Sequence, residues 1–218
     1  MEIKICGITR VQEADYLNRF SADYAGFVFF EKSKRNVTIA KAQPIMQKLN
    51  PDITSVAVTV SPDAIQASEL EKAGFSILQV HKNLSRQVLE TVNIPIWYAI
   101  NLANEKELDE KIQFLEELPR ELAGKITAVV VDGAAYGSGK PFDWQKSKRL
   151  KKAGAQSPPE LFGNRKFVLA GGLTASNVQE GISLFHPDIV DVSSGVEDKE
   201  GKNEKLIQDF IRKVRTYE

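Results

Sequence analysis

The sequence is poor in the residues that build disulfides and metal clusters. Its 218 residues include one cysteine, Cys6, and two histidines, His81 and His186. A single cysteine excludes an intrachain disulfide and any metal site with several cysteine ligands. We therefore expect a protein of a reducing compartment.

The chain also lacks an excess charge of either sign and a long apolar segment. Its 29 lysines and arginines balance 29 aspartates and glutamates, so no overall field attracts nucleic acid or an anionic membrane. No run approaches the roughly 18 apolar residues of a membrane helix, and the N-terminus shows no apolar signal-peptide core. These absences predict a cytoplasmic enzyme with small-molecule partners, and no nucleic-acid or membrane partner.

The sequence contains eight strand-like apolar segments, with helical patterns between them. Eight units in 218 residues allow about 27 residues each, close to the ~30 of a βαβ step. Several segments are nearly continuous runs of valine, isoleucine and alanine, as in parallel strands covered on both faces. The predicted strands are Glu2–Cys6, Tyr24–Phe30, Thr54–Val60, Ser76–His81, Pro95–Ile100, Ile126–Asp132, Lys166–Ala170 and Asp188–Val192.

Helix boundaries can be predicted at two places. Ser61 precedes Pro62 and is expected to cap a helix that Gly74 ends. The last pattern, Asn203–Val214, predicts a helix whose apolar face comprises Leu206, Phe210 and Ile211.

The alternation of strands and helices shows no break that would mark a domain boundary. The sequence therefore predicts an α/β fold in which residues 1–218 form a single-domain TIM (β/α)8 barrel. An open, doubly wound sheet has the same alternation. Against it, the first strand continues into Cys6-Gly7-Ile8-Thr9 rather than Gly-x-Gly-x-x-Gly.

Two reactive side chains end predicted strands. In a barrel these ends open to one mouth, so residues distant in sequence meet in one pocket. Cys6 ends the first strand and Asp132 the sixth, nearly opposite each other around the ring. An aspartate partly desolvated there is suited to donate a proton, although capping of the following turn is an alternative. We expect one of the two groups to take a proton from a small sugar-like substrate while the other gives one.

Lys4 lies two residues before Cys6, on the same face of the strand and about 6.6 Å away. At an effective dielectric constant of about 20, its charge favours the thiolate by at most ~2.5 kcal/mol. This effect predicts a Cys6 that acts as a base at neutral pH. A structural ion pair low in the barrel is the alternative role for Lys4.

Glycine-rich turns follow the last two predicted strands and indicate a phosphate site. Gly171-Gly172 and Ser193-Ser194-Gly195 are turns whose backbone N–H groups can approach an anion closely. Barrels frequently bind phosphate at these two loops. Most loop arginines are solvated, but Arg35, in the loop after the second strand, is expected to reach over the mouth and pair bidentately with a substrate carboxylate. Asp191 is expected to face inward, and His81 is interpreted as a hydrogen-bonded structural histidine rather than a ligand contact.

Several motifs, in this order, resemble the phosphoribosylanthranilate isomerases, a family of barrel enzymes of tryptophan biosynthesis. They extend from residue 4 to residue 202, nearly the whole chain. The first and the last stretch are the most specific. The stretches are Lys4–Thr9, Gly26–Phe29, Ser33–Arg35, Gly137–Lys140 with Phe142–Trp144, Ala170–Leu173 with Asn177-Val178, and Asp191–Glu197.

The resemblance implies an isomerase that performs an Amadori rearrangement without cofactor or metal, as a monomer or homodimer. The substrate would be N-(5-phosphoribosyl)anthranilate and the product 1-(2-carboxyphenylamino)-1-deoxyribulose 5-phosphate. Asp132 would be the general acid on the furanose oxygen, Cys6 the general base at C2, and Arg35 the partner of the anthranilate carboxylate. The other implied substrate-binding residues are Gly137, Ser138, Gly139, Gly171, Gly172, Asp191, Ser193, Ser194 and Gly195.

The chain departs from the family pattern at a few positions but keeps each predicted catalytic group. Tyr136 stands where a glycine is usual in the loop after strand six, Ala57 replaces a glycine in strand three, and Lys82 replaces one after His81. Near the end, Lys202-Asn203-Glu204 stands for Lys-Lys-Asp. These changes concern loop conformation, affinity and dimer contacts rather than the reaction.

Other functions of a sugar-phosphate barrel remain as alternatives. A ribulose-phosphate epimerase should carry metal-ligand histidines at strand ends, and this chain has two histidines in all. Indole-glycerol-phosphate synthase would use a lysine at a strand end, whereas Lys4 lies inside its strand. A non-catalytic barrel would bind a reduced product analogue without turnover, and the presence of both Cys6 and Asp132 disfavours it.

Overall fold

The computed structural model describes residues 1–101, 105–132 and 163–217. Eight parallel strands pair in chain order, and the last returns to the first, so the sheet closes into a barrel. The predicted barrel is confirmed, the open sheet is excluded, and each strand end lies within two residues of the expected one. The strands are β1 (Glu2–Cys6), β2 (Tyr24–Val28), β3 (Thr54–Thr59), β4 (Ile77–Val80), β5 (Ile96–Asn101), β6 (Ile126–Asp132), β7 (Lys166–Ala170) and β8 (Ile189–Val192).

In the part of the chain that the structure describes, helices follow the strands and cover the outside of the sheet. They are α1 (Val11–Phe20), α2 (Ile39–Lys48), α3 (Ala64–Lys72), α4 (Arg86–Thr91), α5 (Glu105–Glu117), α6 (Arg120–Ala123), α7 (Val178–Phe185) and α8 (Glu204–Arg215). A 3-10 turn, Ser194–Val196, follows β8 and leads into the short antiparallel pair β9 (Glu197–Asp198) and β10 (Gly201–Lys202). Within the described ranges, none of the helices has the length and apolar character needed to cross a bilayer.

Strand alternation divides the buried side chains into two layers. Ile3 and Ile5 on β1 face the helices in the main core, whereas Cys6 belongs to a second cluster inside the barrel. Tyr24 and Trp97 belong to this inner cluster and meet edge to face, with ring centroids 4.9 Å apart. The barrel is therefore a packed core, and inward-facing groups at the carboxyl ends of the strands remain available for a site.

The cap of α3 differs from the prediction. Asp63, not Ser61, is the N-cap, and its side chain accepts a hydrogen bond from the backbone N–H of Gln66 at 2.8 Å. The Ser61 hydroxyl instead accepts from the backbone N–H of Asn83. An aspartate caps as well as a serine, so the sequence alone did not distinguish them. Gly74 lies just beyond the helix with φ +96°, which suits the predicted helix end.

The buried face of α8 includes Phe210 and Ile211 as predicted, but Ile207 rather than Leu206 completes it. Leu206 is 37% exposed, whereas Ile207 is fully buried together with Phe210 and Val214. Asn203 caps the helix by accepting from the backbone N–H of Leu206. The cap fixes where the helix begins, and the tertiary packing selects which of two adjacent apolar residues turns inward.

This difference between two adjacent residues predicts different costs of truncation. Ile207→Ala should lower the free energy of unfolding by about 2–5 kcal/mol, because it leaves a cavity where a fully buried side chain packs in the main core. Leu206→Ala is the matched control and should cost less than about 1 kcal/mol, since the side chain is partly in water. Urea denaturation followed by circular dichroism measures both. Equal losses would contradict the orientation of α8.

Candidate active site

The carboxyl ends of the strands surround a cavity of about 670 Å³. Cys6 at the end of β1 and Asp132 at the end of β6 both line it, although they are 126 positions apart (132 − 6) in the sequence. Closure of the sheet brings them together, because every parallel strand ends at the same rim. The residues named from the sequence that line the cavity are Cys6, Arg35, Asp132, Gly171, Gly172, Asp191, Ser193 and Ser194.

Other predicted residues are not placed in this cavity. Gly195 is not one of the residues that line it, because it packs against the loop after β7. A Cβ at this position would lie 1.9 Å from the carbonyl oxygen of Leu173, so the close approach requires glycine. A substrate contact of Gly195 stays a prediction. Gly137, Ser138 and Gly139 lie outside the described residues, as does Tyr136.

Lys4 and Asp191 form an ion pair inside the barrel. They are register partners on β1 and β8, and Nζ of Lys4 lies 2.8 Å from Oδ2 of Asp191. Lys4 is fully buried, and Asp191 faces inward as predicted. Although burial opposes its charge, the attraction of Asp191 and Cys6 raises the pKa of Lys4. The lysine therefore stays protonated.

The Lys4 ammonium also lies next to the Cys6 thiol. Gly26 is the register partner of Cys6, and a Cβ built on it would lie 2.9 Å from Sγ and 3.1 Å from Nζ of Lys4. The absent side chain leaves the space in which thiol and ammonium meet. Lys4 thus has both of the roles considered from the sequence, a structural ion pair and a neighbour of the thiol.

The pKa shift of Cys6 is opposite in direction to the effect of Lys4 alone. Burial raises the pKa of the thiol, Lys4 and Lys202 oppose this effect, and Asp191 adds to it. The net shift is upward, so burial outweighs the effect of Lys4 on the thiol, and the role of Cys6 as a base stays a prediction. The sign of the lysine effect follows from the spacing of Lys4 and Cys6, but the larger cost of desolvation depends on burial.

Two buried oxygen atoms in the cavity lack a hydrogen-bond partner among the described residues. They are Oδ1 of Asp191 and Oε1 of Gln79, and both residues line the cavity. Buried polar atoms in folded proteins are nearly always satisfied. These acceptors therefore indicate a ligand with hydroxyl or amine donors. Sequence reasoning missed Gln79 as a cavity residue, because one polar residue in a strand pattern carries no signal of the face it occupies.

His81 lines the same cavity, and its ring is neutral. Its Nε2 lies 2.9 Å from the amide nitrogen of Gln79, so the predicted hydrogen-bonded histidine is confirmed. Burial, with the nearby charges of Lys4 and Lys111, lowers the pKa of His81 to about 3. The charged imidazolium form is therefore not available as a proton donor near neutral pH.

The loops after β7 and β8, which were predicted to bind phosphate, have defined backbone conformations. Gly171 and Gly172 have φ values of +87° and +66°, which L-residues with side chains rarely adopt. Asn177 holds this loop by donating from Nδ2 to the carbonyl of Gly172 at 3.0 Å. Ser194 begins the 3-10 turn, where the first N–H groups have no partner within the turn itself. Phosphate binding by these two loops stays a prediction.

Arg35 is held by a carboxylate that the sequence did not point to. Glu197 accepts from Nε of Arg35 at 2.6 Å and from Nη2 at 2.7 Å. It also accepts from Nζ of Lys202, which is almost completely buried. Burial opposes ionisation, but the hydrogen bonds from Arg35 and Lys202 lower the pKa of Glu197 to about 2. The only signal in the sequence was the position of Glu197 at the end of the Asp191–Glu197 motif.

Ser193 joins this cluster to the end of β1. Its hydroxyl donates to the carbonyl of Cys6 at 2.9 Å and accepts from Nζ of Lys202 at 3.3 Å. Lys202 also donates to the carbonyl of Ser193 at 3.0 Å. The loop after β8 is therefore fixed to the strand that carries the thiol.

Comparisons with known proteins agree on one family. A family model described as N-(5'phosphoribosyl)anthranilate (PRA) isomerase matches residues 3–213. The N-(5'-phosphoribosyl)anthranilate isomerase of Thermoanaerobacter pseudethanolicus is 32% identical over 221 residues, which cover 99% of this chain and 98% of that protein. The resemblance inferred from the motifs is confirmed over nearly the full length.

Solved structures of the same description superpose closely. The phosphoribosyl anthranilate isomerase from Thermotoga maritima is 28% identical, with a TM-score of 0.79 and coverage of 99% of both chains. A phosphoribosyl anthranilate isomerase in complex with reduced 1-(o-carboxyphenylamino)-1-deoxyribulose 5-phosphate is 26% identical, with a TM-score of 0.77 and the same coverage.

The surroundings of Cys6 predict how its thiol titrates. Because burial raises its pKa, the thiolate absorbance near 240 nm should appear at a higher pH than in a short cysteine peptide, and Lys4→Met should shift the midpoint further up. Cys6 is the only thiol, so the signal has one source. Lys166→Met is the matched control, since it removes the same charge beside Glu2 at the start of β7. A midpoint in Lys4→Met that is unchanged or lower would contradict the assignment.

Proposed function

Because the chain belongs to the N-(5'-phosphoribosyl)anthranilate isomerase family, we propose that it converts N-(5-phosphoribosyl)anthranilate to 1-(2-carboxyphenylamino)-1-deoxyribulose 5-phosphate in tryptophan biosynthesis. One observation carries the assignment of its catalytic groups: Cys6 and Asp132 line the same cavity from two sides of the barrel. The rearrangement requires a proton donor and a proton acceptor that both reach one small substrate.

Asp132 acts as the general acid in this proposal. It donates a proton to the furanose ring oxygen as the bond from C1 to that oxygen breaks, and the anthranilate nitrogen supplies the electron pair. The ring opens to a protonated Schiff base between C1 and nitrogen. Asp132 is about nine-tenths buried at the rim, so the transfer occurs largely away from water.

Cys6 acts as the general base in the second step. Its thiolate removes the proton from C2, the electrons of the C–H bond form the C1–C2 double bond, and the iminium nitrogen becomes neutral. The resulting enol then tautomerises to the ketone. A thiol whose pKa is raised is a stronger base once ionised, and Lys4 and Lys202 stabilise the thiolate when it forms.

The substrate's two anionic groups correspond to two cationic or donor-rich parts of the rim. We assign the anthranilate carboxylate to Arg35 and the phosphate to the loops at Gly171-Gly172 and Ser193–Gly195. Lys32 and Lys82 also line the cavity, so positive charge at the mouth attracts such a substrate. The unsatisfied oxygen of Asp191 is suited to accept from a hydroxyl of the open-chain sugar.

Substitution of either proposed catalytic group should abolish most of the turnover. Cys6→Ser and Asp132→Asn should each lower kcat by at least ~100-fold, the range expected for a positioned acid or base. The assay follows the fluorescence of freshly generated phosphoribosylanthranilate. Calorimetric binding of the reduced product analogue serves as the control that the cavity is intact. Near-wild-type turnover in one variant would refute the role of that residue. If the unsubstituted protein binds the analogue but does not turn over the substrate, the non-catalytic barrel is favoured.

The assignment of Arg35 makes a different prediction, because it concerns binding rather than proton transfer. Arg35→Ala should raise KM by about 10-fold or more while kcat falls much less, since a charge-assisted contact to the substrate is lost in ground state and transition state alike. Steady-state kinetics separates the two constants. An unchanged KM would count against the carboxylate contact.

A further inference from the structure

Glu197 occupies the junction between the two anion-binding parts of the rim. It directly follows the 3-10 turn Ser194–Val196, and its carboxylate binds Arg35 from the loop after β2. We propose that Glu197 is a positioning residue that orients Arg35 toward the substrate carboxylate and fixes that contact relative to the phosphate loops. The inference rests on the proposed function, because it assumes that Arg35 binds a carboxylate.

Among the described residues, the hydrogen bonds of the Arg35 guanidinium occupy one edge and leave the other for a ligand. Glu197 accepts from Nε and Nη2, which together form the side edge of the planar group. A guanidinium has five donors in a rigid fork, so the end edge, formed by Nη1 and Nη2, can bind a second carboxylate bidentately. Arg35 is one of the residues that line the cavity. One carboxylate of the protein thereby sets the plane in which another carboxylate can bind.

The aliphatic part of the Arg35 side chain is confined as well as its guanidinium. Gly7 has a φ of +83°, and a Cβ built on it would lie 2.4 Å from Cδ of Arg35. The arginine stem therefore crosses the backbone directly after Cys6, in space that a side chain would occupy. Its side chain is 12% exposed, so it is held between Gly7 and Glu197 before any ligand arrives. A group ordered in advance loses less entropy when it binds.

The same carboxylate is tied to the loop after β8. Its Oε1 also accepts from Nζ of Lys202, and this lysine donates to the carbonyl of Ser193 at 3.0 Å. Because Ser193 and Ser194 lie in the proposed phosphate site, Glu197 connects Arg35 to that site through rigid contacts. The distance between carboxylate and phosphate is then set by the protein, and a substrate must carry both groups at that distance.

The local charge agrees with an anion-binding role. Arg35, Lys202 and the exposed Lys34, whose Nζ lies 3.4 Å away, surround the single carboxylate of Glu197. Among the described residues, three cations contact this one carboxylate, so the cluster itself carries a positive excess. A purely structural ion pair would need one cation, whereas this cluster still attracts a further carboxylate.

Two ligands that differ only in the carboxylate test the proposal. One is reduced 1-(2-carboxyphenylamino)-1-deoxyribulose 5-phosphate, and the other is the same compound with phenylamine in place of the anthranilate. In the full chain, Glu197→Gln should weaken the first at least ~10-fold and the second less than ~3-fold, because an amide loses one of the two bonds to Arg35. Calorimetry measures both dissociation constants. A general loosening of the fold would weaken both ligands equally, and that result would overturn the proposal.

The matched control removes a charge from the neighbouring residue. Asp198 is exposed and accepts from Asn203 and from the backbone N–H of Glu200, with no bond to Arg35. Asp198→Asn should leave both dissociation constants within ~2-fold of wild type, since rim charges without a ligand contact contribute little. A loss in Asp198→Asn that matches Glu197→Gln would assign the effect to net charge and overturn the positioning role.

Arg35→Ala separates this inference from the function on which it rests. If it weakens the two ligands equally, the contact between Arg35 and the carboxylate is wrong, and the inference fails with it. If Arg35→Ala discriminates between them and Glu197→Gln does not, the inference alone is overturned. Should Glu197→Gln fail to fold because Lys202 is left buried without its partner, the double variant Glu197→Gln with Lys202→Met is measured instead. The double variant should show the same ~10-fold discrimination between the two ligands, because Arg35 again lacks the carboxylate that orients it.

Discussion

An ion pair inside the barrel, between Lys4 on β1 and Asp191 on β8, is the interaction on which the site depends. It joins the first strand to the last at the seam where the sheet closes, and both partners are buried. Neither charge is stable there alone, since removal of one partner from a buried pair costs about 3–5 kcal/mol. The pair also brings an ammonium group to the Cys6 thiol and leaves one oxygen of Asp191 for a ligand. The same two side chains, Lys4 and Asp191, therefore join the strands where the barrel closes and place charged groups in the site.

A second ionic cluster organises the rim above this pair. Arg35, Glu197 and Lys202 come from the loop after β2 and the hairpin after β8, and the Ser193 hydroxyl links them to the backbone of Cys6. Both clusters contact the residues around the thiol, so the charges of the site are fixed before a substrate enters. Preorganised charges of this kind need not reorient during the reaction, which is the main advantage of a protein site over water.

The positions of the strands and of the proposed catalytic pair followed from the sequence because they depend on local patterns. Runs such as that ending at Asp132 are recognisable as buried parallel strands, and a parallel barrel places all their ends together. Errors arose where two neighbours were equally suitable. Asp63 rather than Ser61 caps α3, and Ile207 rather than Leu206 packs inward from α8. In each case the tertiary contacts decided between chemically similar residues.

The sequence by itself determined the family, the barrel, and which thiol and carboxyl group end their strands at its mouth. Only the tertiary structure decided the charge state of Cys6 and the orientation of Arg35. The thiol pKa is a difference between the cost of burial and the attraction of Lys4, and burial depends on every element around the site. Arg35 is held by Glu197, 162 positions away along the chain. Periodicity reports what a residue does within its own strand or helix, whereas contacts at this separation exist only after the sheet has closed.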